Sequence, residues 1–222
     1  MDRRAAIHDN ARKPCKLSGF RVVQDVEEAK QAKRQSSSTH VKLCGERHCQ
    51  PIEGFDLGNS PLEYSKETVS EKELIFSTTN GTQAVGATSN FSCSYLAGFV
   101  NRSAVAAAIL SSKIKHWTVV CAGTDGEVAG EDVLAAGAIA QILLGQPNVK
   151  VHLANDSARL AIDLWLDAWS SKLALAELLE TFCGGYNLVR AGYSDDIRFA
   201  AQVDIIHCVP SRQAGGIFVA LA

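Results

Sequence analysis

Glu73-Leu-Ile-Phe-Ser-Thr-Thr-Asn-Gly-Thr-Gln-Ala-Val-Gly-Ala-Thr88 reads as a strand, a turn and a helix in that order. Leu74, Ile75 and Phe76 form a short run of bulky apolar residues of the kind a sheet buries. Ser77 to Thr82 supplies hydroxyls, an amide and a glycine, and a helical pattern follows over residues 83–88. A strand that turns directly into a helix is half of a βαβ unit, which builds parallel sheets.

The same alternation continues on both sides. Residues 20–23 and 41–43 read as strands around a helix at 26–34, and 35–40 is a polar connection. Further strands are expected at 94–100, 116–122, 203–209 and 216–220. Helices are expected at 103–110, from 130 to 144, and at 156–169, 172–182, 186–191 and 194–201. Ser60-Pro61-Leu62-Glu63 has the form of a helix start, with Ser60 as N-cap, Pro61 in the first turn and Glu63 at the capping-box position. Asn101 is expected to cap the helix after it. The predicted fold is α/β with a mostly parallel sheet covered on both faces. There is no tandem repeat.

Composition narrows the function. The 222 residues are 46% hydrophobic with a net charge of -2, as in a soluble globular protein. That charge gives no reason to expect nucleic acid or an anionic membrane as partner. Positive charge is local, at Arg3, Arg4, Arg12, Lys13, Lys16 and Arg21. The first twenty residues lack the apolar core of a secretory signal, and the apolar run from Val133 to Leu144 is too short to span a bilayer. Seven cysteines are scattered over a chain that needs no staples, so reduced thiols and a cytoplasmic location are expected. Cys93, Cys121 and Cys208 read as small buried hydrophobes. Cys44 and Cys49 flank four residues, the last of them His48, but a zinc site would need a second pair.

The chemistry gathers at predicted strand ends, where open α/β sheets place their sites. Gly54-Phe-Asp-Leu-Gly-Asn-Ser-Pro61 and Ser77-Thr-Thr-Asn-Gly-Thr82 are turns whose peptide N–H groups can meet an anion. Asp56, Glu46, Glu131 and Asp132 add carboxylates, and Arg47 adds a guanidinium. Hard oxygen ligands beside anion donors suggest phosphoryl chemistry with magnesium.

These pieces, with Gly45-Glu-Arg47, Gly98-Phe-Val-Asn101, Cys121-Ala-Gly123 and the stretch from Asp195 to Asp204, resemble the 2-phosphosulfolactate phosphatase family, the ComB-like proteins. They occur in family order from about Arg21 onward. The resemblance implies a magnesium-dependent phosphatase that converts 2-phospho-3-sulfolactate to 3-sulfolactate and phosphate. It also implies a three-layer α/β/α sandwich of two similar subdomains, here roughly 21–114 and 115–222. Residues 1–20 form an atypical basic segment without the family's Asp-Val-Leu-Arg-Ala-Ser/Thr motif. A sheet without that strand is expected to expose unpaired edges or an apolar face. The alternative is a truncated, non-catalytic anion-binding relative.

On this reading Glu46, Asp56 and Asp132 are catalytic candidates, and the same three with Glu131 are magnesium ligands, of which only one or two can be direct. Arg47 clamps the anion, while Thr78, Thr79, Asn80, Gly81 and Thr82 cradle it. Asn59, Ser60 and Asn101 complete the substrate-binding set, although each has a plain capping explanation. The partner is a small anionic phosphate ester. Trp165 and Trp169, four apart on one helix, belong to the core or to a contact between copies, so a homodimer stays open. His116, His152 and His207 lack partner spacing, and Gly123-Thr-Asp-Gly126 is too short for a nucleotide loop.

Overall fold

Residues 19–221 are described in the computed structural model of the chain. The basic segment 1–18, expected to be loop or tail, lies outside the described residues. The first half begins with β1 (Phe20–Val22), α1 (Val26–Gln35), β2 (Val41–Arg47) and β3 (Gln50–Pro51). It continues through α2 (Lys66–Val69), β4 (Glu73–Ser77), α3 (Gly81–Ala87) and α4 (Arg102–Ser111). Five helices follow: α5 (Gly130–Leu144), α6 (Asp156–Ser170), α7 (Leu175–Glu180), α8 (Cys183–Ala191) and α9 (Ser194–Ala200). The described chain ends with β5 (Val209–Arg212) and β6 (Ile217–Leu221).

The chain is α/β, and its sheet is mixed rather than mostly parallel. The strand order is β3-β2-β4-β1-β6-β5. β2, β4 and β1 are parallel, with Leu43 and Phe20 opposite Ile75 and Leu74. α1 makes the crossover between β1 and β2, and its N-cap Asp25 accepts the Glu28 N–H at 2.7 Å. Antiparallel pairs close both sides. β3 folds back on β2, and β5 and β6 form a hairpin that sets Phe218 opposite Phe20. Gly215 and Gly216 take the φ values of 82° and 77° that this last turn needs.

Three expected strands shrink for want of a neighbour. Residues 116–122 are extended without a ladder. Trp117 there stacks on Tyr95 at 5.1 Å, while Val119 and Val120 are exposed. Residues 94–100 form the Tyr95–Ser211 bridge with two flanking backbone bonds, and accept the Asp204 and Ile206 N–H groups at the Phe99 and Val100 carbonyls, short of a regular ladder. Of 203–209, only Val209 enters a strand. A β-rich pattern shows that a segment suits a pleated surface, but a strand also needs a partner edge.

Two cores support the molecule. Under the sheet, Val23, Ala29, Val41, Leu43 and Ile75 pack with α1, and Cys44, Val69 and Leu74 pack on the other side. In the helical half, Phe99, Leu134, Ala138, Trp165, Leu179 and Ile197 form a separate cluster. Trp165 is in the core and Trp169 is exposed, with the Arg102 guanidinium carbon 5.2 and 5.3 Å from their ring centroids. The cysteine reading needs correction. Cys121 is exposed, Cys93 and Cys208 are half-buried, and it is Cys44 that fills the core. Burial raises the Cys44 thiol to about 11.

A cleft between the two halves as candidate active site

A cavity of about 810 Å³ opens where the carboxyl ends of β2 and β4 meet the helical half. On the sheet side the organiser is Glu46. Its Oε1 accepts the Thr79 N–H at 2.8 Å, and its Oε2 accepts the Cys49 N–H at 2.9 Å and the Thr79 hydroxyl at 3.1 Å. Thr79 Oγ1 in turn accepts the His48 N–H at 3.0 Å. One carboxylate therefore ties the β2–β3 turn to the turn after β4. The bonds compensate for strain, because His48 and Cys49 sit at φ 51° and 61° in a two-residue hairpin that favours asparagine and glycine.

The helical side is built from the hairpin 124–127, the start of α5 and the start of α8. Thr124 and Glu127 exchange backbone bonds around Asp125 and Gly126, and the Asp125 N–H reaches Asn80 Oδ1 at 3.1 Å. Asp132 Oδ2 accepts the Gly123 N–H at 2.7 Å. Glu131 lies over Gly184, where a Cβ would collide with its Oε1. Its Oε2 is buried without a hydrogen-bond partner. Burial pushes the Glu131 carboxyl above the ordinary range, and the neighbouring Asp132 charge adds to this against the Gly184 N–H, which lowers it. Ser60 joins the halves by donating to Asp196 Oδ1 at 2.6 Å, both residues being buried.

Among the expected site residues, Glu46, Thr79 and Asn80 line the cleft from one side and Glu131 and Asp132 from the other. Asn59 and Ser60 line it at the junction. Ser60 also accepts the Leu62 N–H, while Glu63 turns back to the Gly58 N–H instead of completing a capping box.

Other expected residues stand outside the cleft lining. Asp56 faces α1 and bonds Lys33 Nζ and the Leu43 N–H, each at 2.8 Å. Burial raises its carboxyl, but these partners outweigh that and hold it below the ordinary range. Arg47 donates to the Glu46 and Gln24 carbonyls and to Ser77 Oγ. Thr78 sits in the turn beside Thr79, Gly81 opens α3, and the buried Thr82 hydroxyl donates to the Thr78 carbonyl at 2.8 Å. Asn101 is buried as a brace between the Gly98 N–H and the Leu96 and Cys208 carbonyls.

The cleft also contains Asp125, Asn187, Arg190 and Asp196. Asp125 and Asp196 were within reach of motif reading, in Gly123-Thr-Asp-Gly126 and Asp195-Asp-Ile197. Asn187 and Arg190 carried no signal, being ordinary polar residues on a helix.

Known proteins resemble this chain over most of its length. The family model described as 2-phosphosulpholactate phosphatase matches residues 17–215. A probable 2-phosphosulfolactate phosphatase of Prochlorococcus marinus is 34% identical over 212 residues, which is 93% of this chain and 86% of the relative. Proteins with the same description from Pseudothermotoga lettingae and Caldanaerobacter subterraneus are 39% and 37% identical over 193 and 196 residues. Each match takes in 87% of this chain, with 80% and 77% of the respective relatives.

Proposed function

The chain belongs to the 2-phosphosulfolactate phosphatase family, and on that premise we propose that it hydrolyses 2-phospho-3-sulfolactate, or a similar small anionic phosphate ester, with the help of magnesium. The observation that carries this reading is the buried, unpartnered Glu131 oxygen beside Asp132, in the same cleft as the Glu46-held turn. The family's three-layer sandwich of two similar subdomains and a cytoplasmic setting belong to the same proposal.

The residues fit magnesium. Glu131 is a hard oxygen donor with an unsatisfied atom, and burial disfavours its charge in the way a bound cation would relieve. Among the described residues no three His, Cys, Asp or Glu side chains form a ready cage. Magnesium does not require one, because it takes one or two carboxylates with water and phosphate oxygens. Glu131 is the principal ligand on this reading, with Asp125 or Asp132 as the second. The ion would supply neutralisation of charge on the transferred phosphoryl group.

The chain's own groups do the rest. Asp132 is fixed by Gly123 and serves as base for the attacking water, for which orientation matters as much as basicity. Glu46 is a positioning residue, since both its oxygens are taken up in holding Thr79 and Cys49. Asn80 and Asn59 offer amides to the ester. Asp56 braces β2 against α1 and acts on the site only through that strand.

Phosphate release from 2-phospho-3-sulfolactate by the purified full chain tests the proposal. Release that requires magnesium and stops with chelator is expected. Binding of 3-sulfolactate without any turnover of its phosphate ester would instead establish the non-catalytic anion binder.

A further inference from the structure

The proposed ester carries phosphate, carboxylate and sulfonate groups, yet the cleft wall is acidic. Glu46, Asp125, Glu131, Asp132 and Asp196 all line it. One magnesium ion would offset two of those charges and serve the reacting phosphate. A second cation is needed for the part of the ester that does not react. Among the described lining residues only Arg190 is a lysine or arginine.

Its setting suits that task. Arg190 lies on α8, six residues after Gly184, the glycine over which Glu131 rests, and three after Asn187, which also lines the cleft. Its guanidinium carbon is 5.7 Å from the Tyr186 ring centroid, so the side chain is steadied by an aromatic neighbour one turn away. Among the described residues no carboxylate pairs with it, whereas Lys33, Arg102 and Arg198 are paired with Asp56, Asp204 and Asp195. Arg47, the guanidinium nearer to the motifs, has its donors on two carbonyls and Ser77.

We propose that Arg190 recognises the non-reacting anionic group of the substrate, with the Asn187 amide beside it, and so selects esters that bear a second anion. This rests on the phosphatase reading and names the specificity element of that site. A guanidinium fork matches both carboxylate and sulfonate oxygens, and an ammonium does so less well.

The test compares wild type, R190A and R190K on 2-phospho-3-sulfolactate, on 2-phospholactate, which keeps only the carboxylate, and on glycerol 2-phosphate, which has neither group. R190A is expected to lower kcat/KM for 2-phospho-3-sulfolactate by about 10- to 100-fold, mostly through KM. Its loss on glycerol 2-phosphate should be about tenfold smaller, and R190K should recover part of the difference. 2-Phospholactate shows which anion is read: a loss as large as with the sulfonated ester assigns the carboxylate, and a small one assigns the sulfonate. An equal loss on all three esters, or no loss, overturns the proposal. Calorimetry with 3-sulfolactate provides a readout free of turnover, in which R190A should weaken binding about tenfold. If wild type binds 3-sulfolactate through Arg190 but releases phosphate from no ester, the phosphatase reading fails and the anion-recognition role stands. Unchanged binding in R190A, or no binding by wild type, overturns that role.

Discussion

Glu131 keeps one carboxylate oxygen out of water with nothing bonded to it, an arrangement that favours chemistry over stability. Replacing it with Gln removes the ionisable group while nearly conserving its shape. E131Q should therefore lower phosphate release by at least about 100-fold, with a melting temperature equal to or above that of wild type. D132N should show a similar kinetic loss, because the amide can no longer take a proton from water. Gly184 gives a separate test of placement. In G184A the new methyl occupies the space of Glu131 Oε1, so the carboxylate must move, and a loss of about 10-fold or more in kcat is expected. Wild-type rates in G184A would show that the position of Glu131 does not matter. The acids at the start of α5 were readable because a first-turn Glu-Asp pair after a glycine-rich turn is a local pattern. The direction of Asp56 was not, since its ion pair with Lys33 joins residues 23 positions apart. Arg190 was silent for the same reason, because its value comes from the acids that other segments bring around it.

At the scale of elements, three helices depend on two contacts that can be broken singly. α4 begins where Asp204 accepts the Ser103 N–H and hydroxyl at 2.7 Å each and Arg102 Nε at 3.0 Å. Burial alone would raise the Asp204 carboxyl, but these donors prevail and hold it below its ordinary range. A depressed folded value means stability that is complete above the unfolded value of about 3.9 and is lost as pH falls through the lower folded one. D204N should thus cost about 1–3 kcal/mol near neutral pH, and the gap to wild type should narrow in acid. Urea unfolding near neutrality and again near pH 3 (roughly one unit under the unfolded value) reads both. A constant gap would mean that the charge is not what holds the cap. α5 and α6 meet at Gly137, where any Cβ collides with the Ala161 carbonyl. G137A should destabilise by about 1–3 kcal/mol in the same assay, whereas wild-type stability would mean that the helices can separate freely. Helices of this kind were legible because their periodicity is local, whereas the cap of α4 was not: the expected Asn101 makes no side-chain cap bond there, and Asp204 supplies one from 101 residues away. The extended segment 116–122 had the right composition for a strand but no adjacent edge, and residue pattern alone cannot supply one. Parallel order at the centre of the sheet followed from strand–helix alternation. The antiparallel turn of β6 onto β1 depends on where the chain end returns, which no short window contains.

For the molecule as a whole, the cleft exists only while two separate cores stay in register. The polar ties across it include the bonds from Ser60 to Asp196 and from Asp125 to Asn80. A ligand that bridges the acids of α5, Arg190 of α8 and the turns after β2 and β4 would add to those ties without changing either core. Such a ligand binds only the folded state, so it stabilises by about 2.7 kcal/mol at a hundred times its Kd. For a chain of this size that corresponds to a rise in Tm of roughly 5–10 °C. Magnesium with 3-sulfolactate should produce that rise in wild type, and E131Q should lose most of it. S60A separates the tie from the site. It leaves Asp196 buried without its hydroxyl donor and should lower the unliganded Tm, at a cost of about 1–3 kcal/mol. The ligand-induced increment should persist in S60A, because the binding groups are still present. An increment equally large in wild type and E131Q would place the ligand elsewhere, and no increment at saturating magnesium and 3-sulfolactate would remove the cleft from consideration as the binding site.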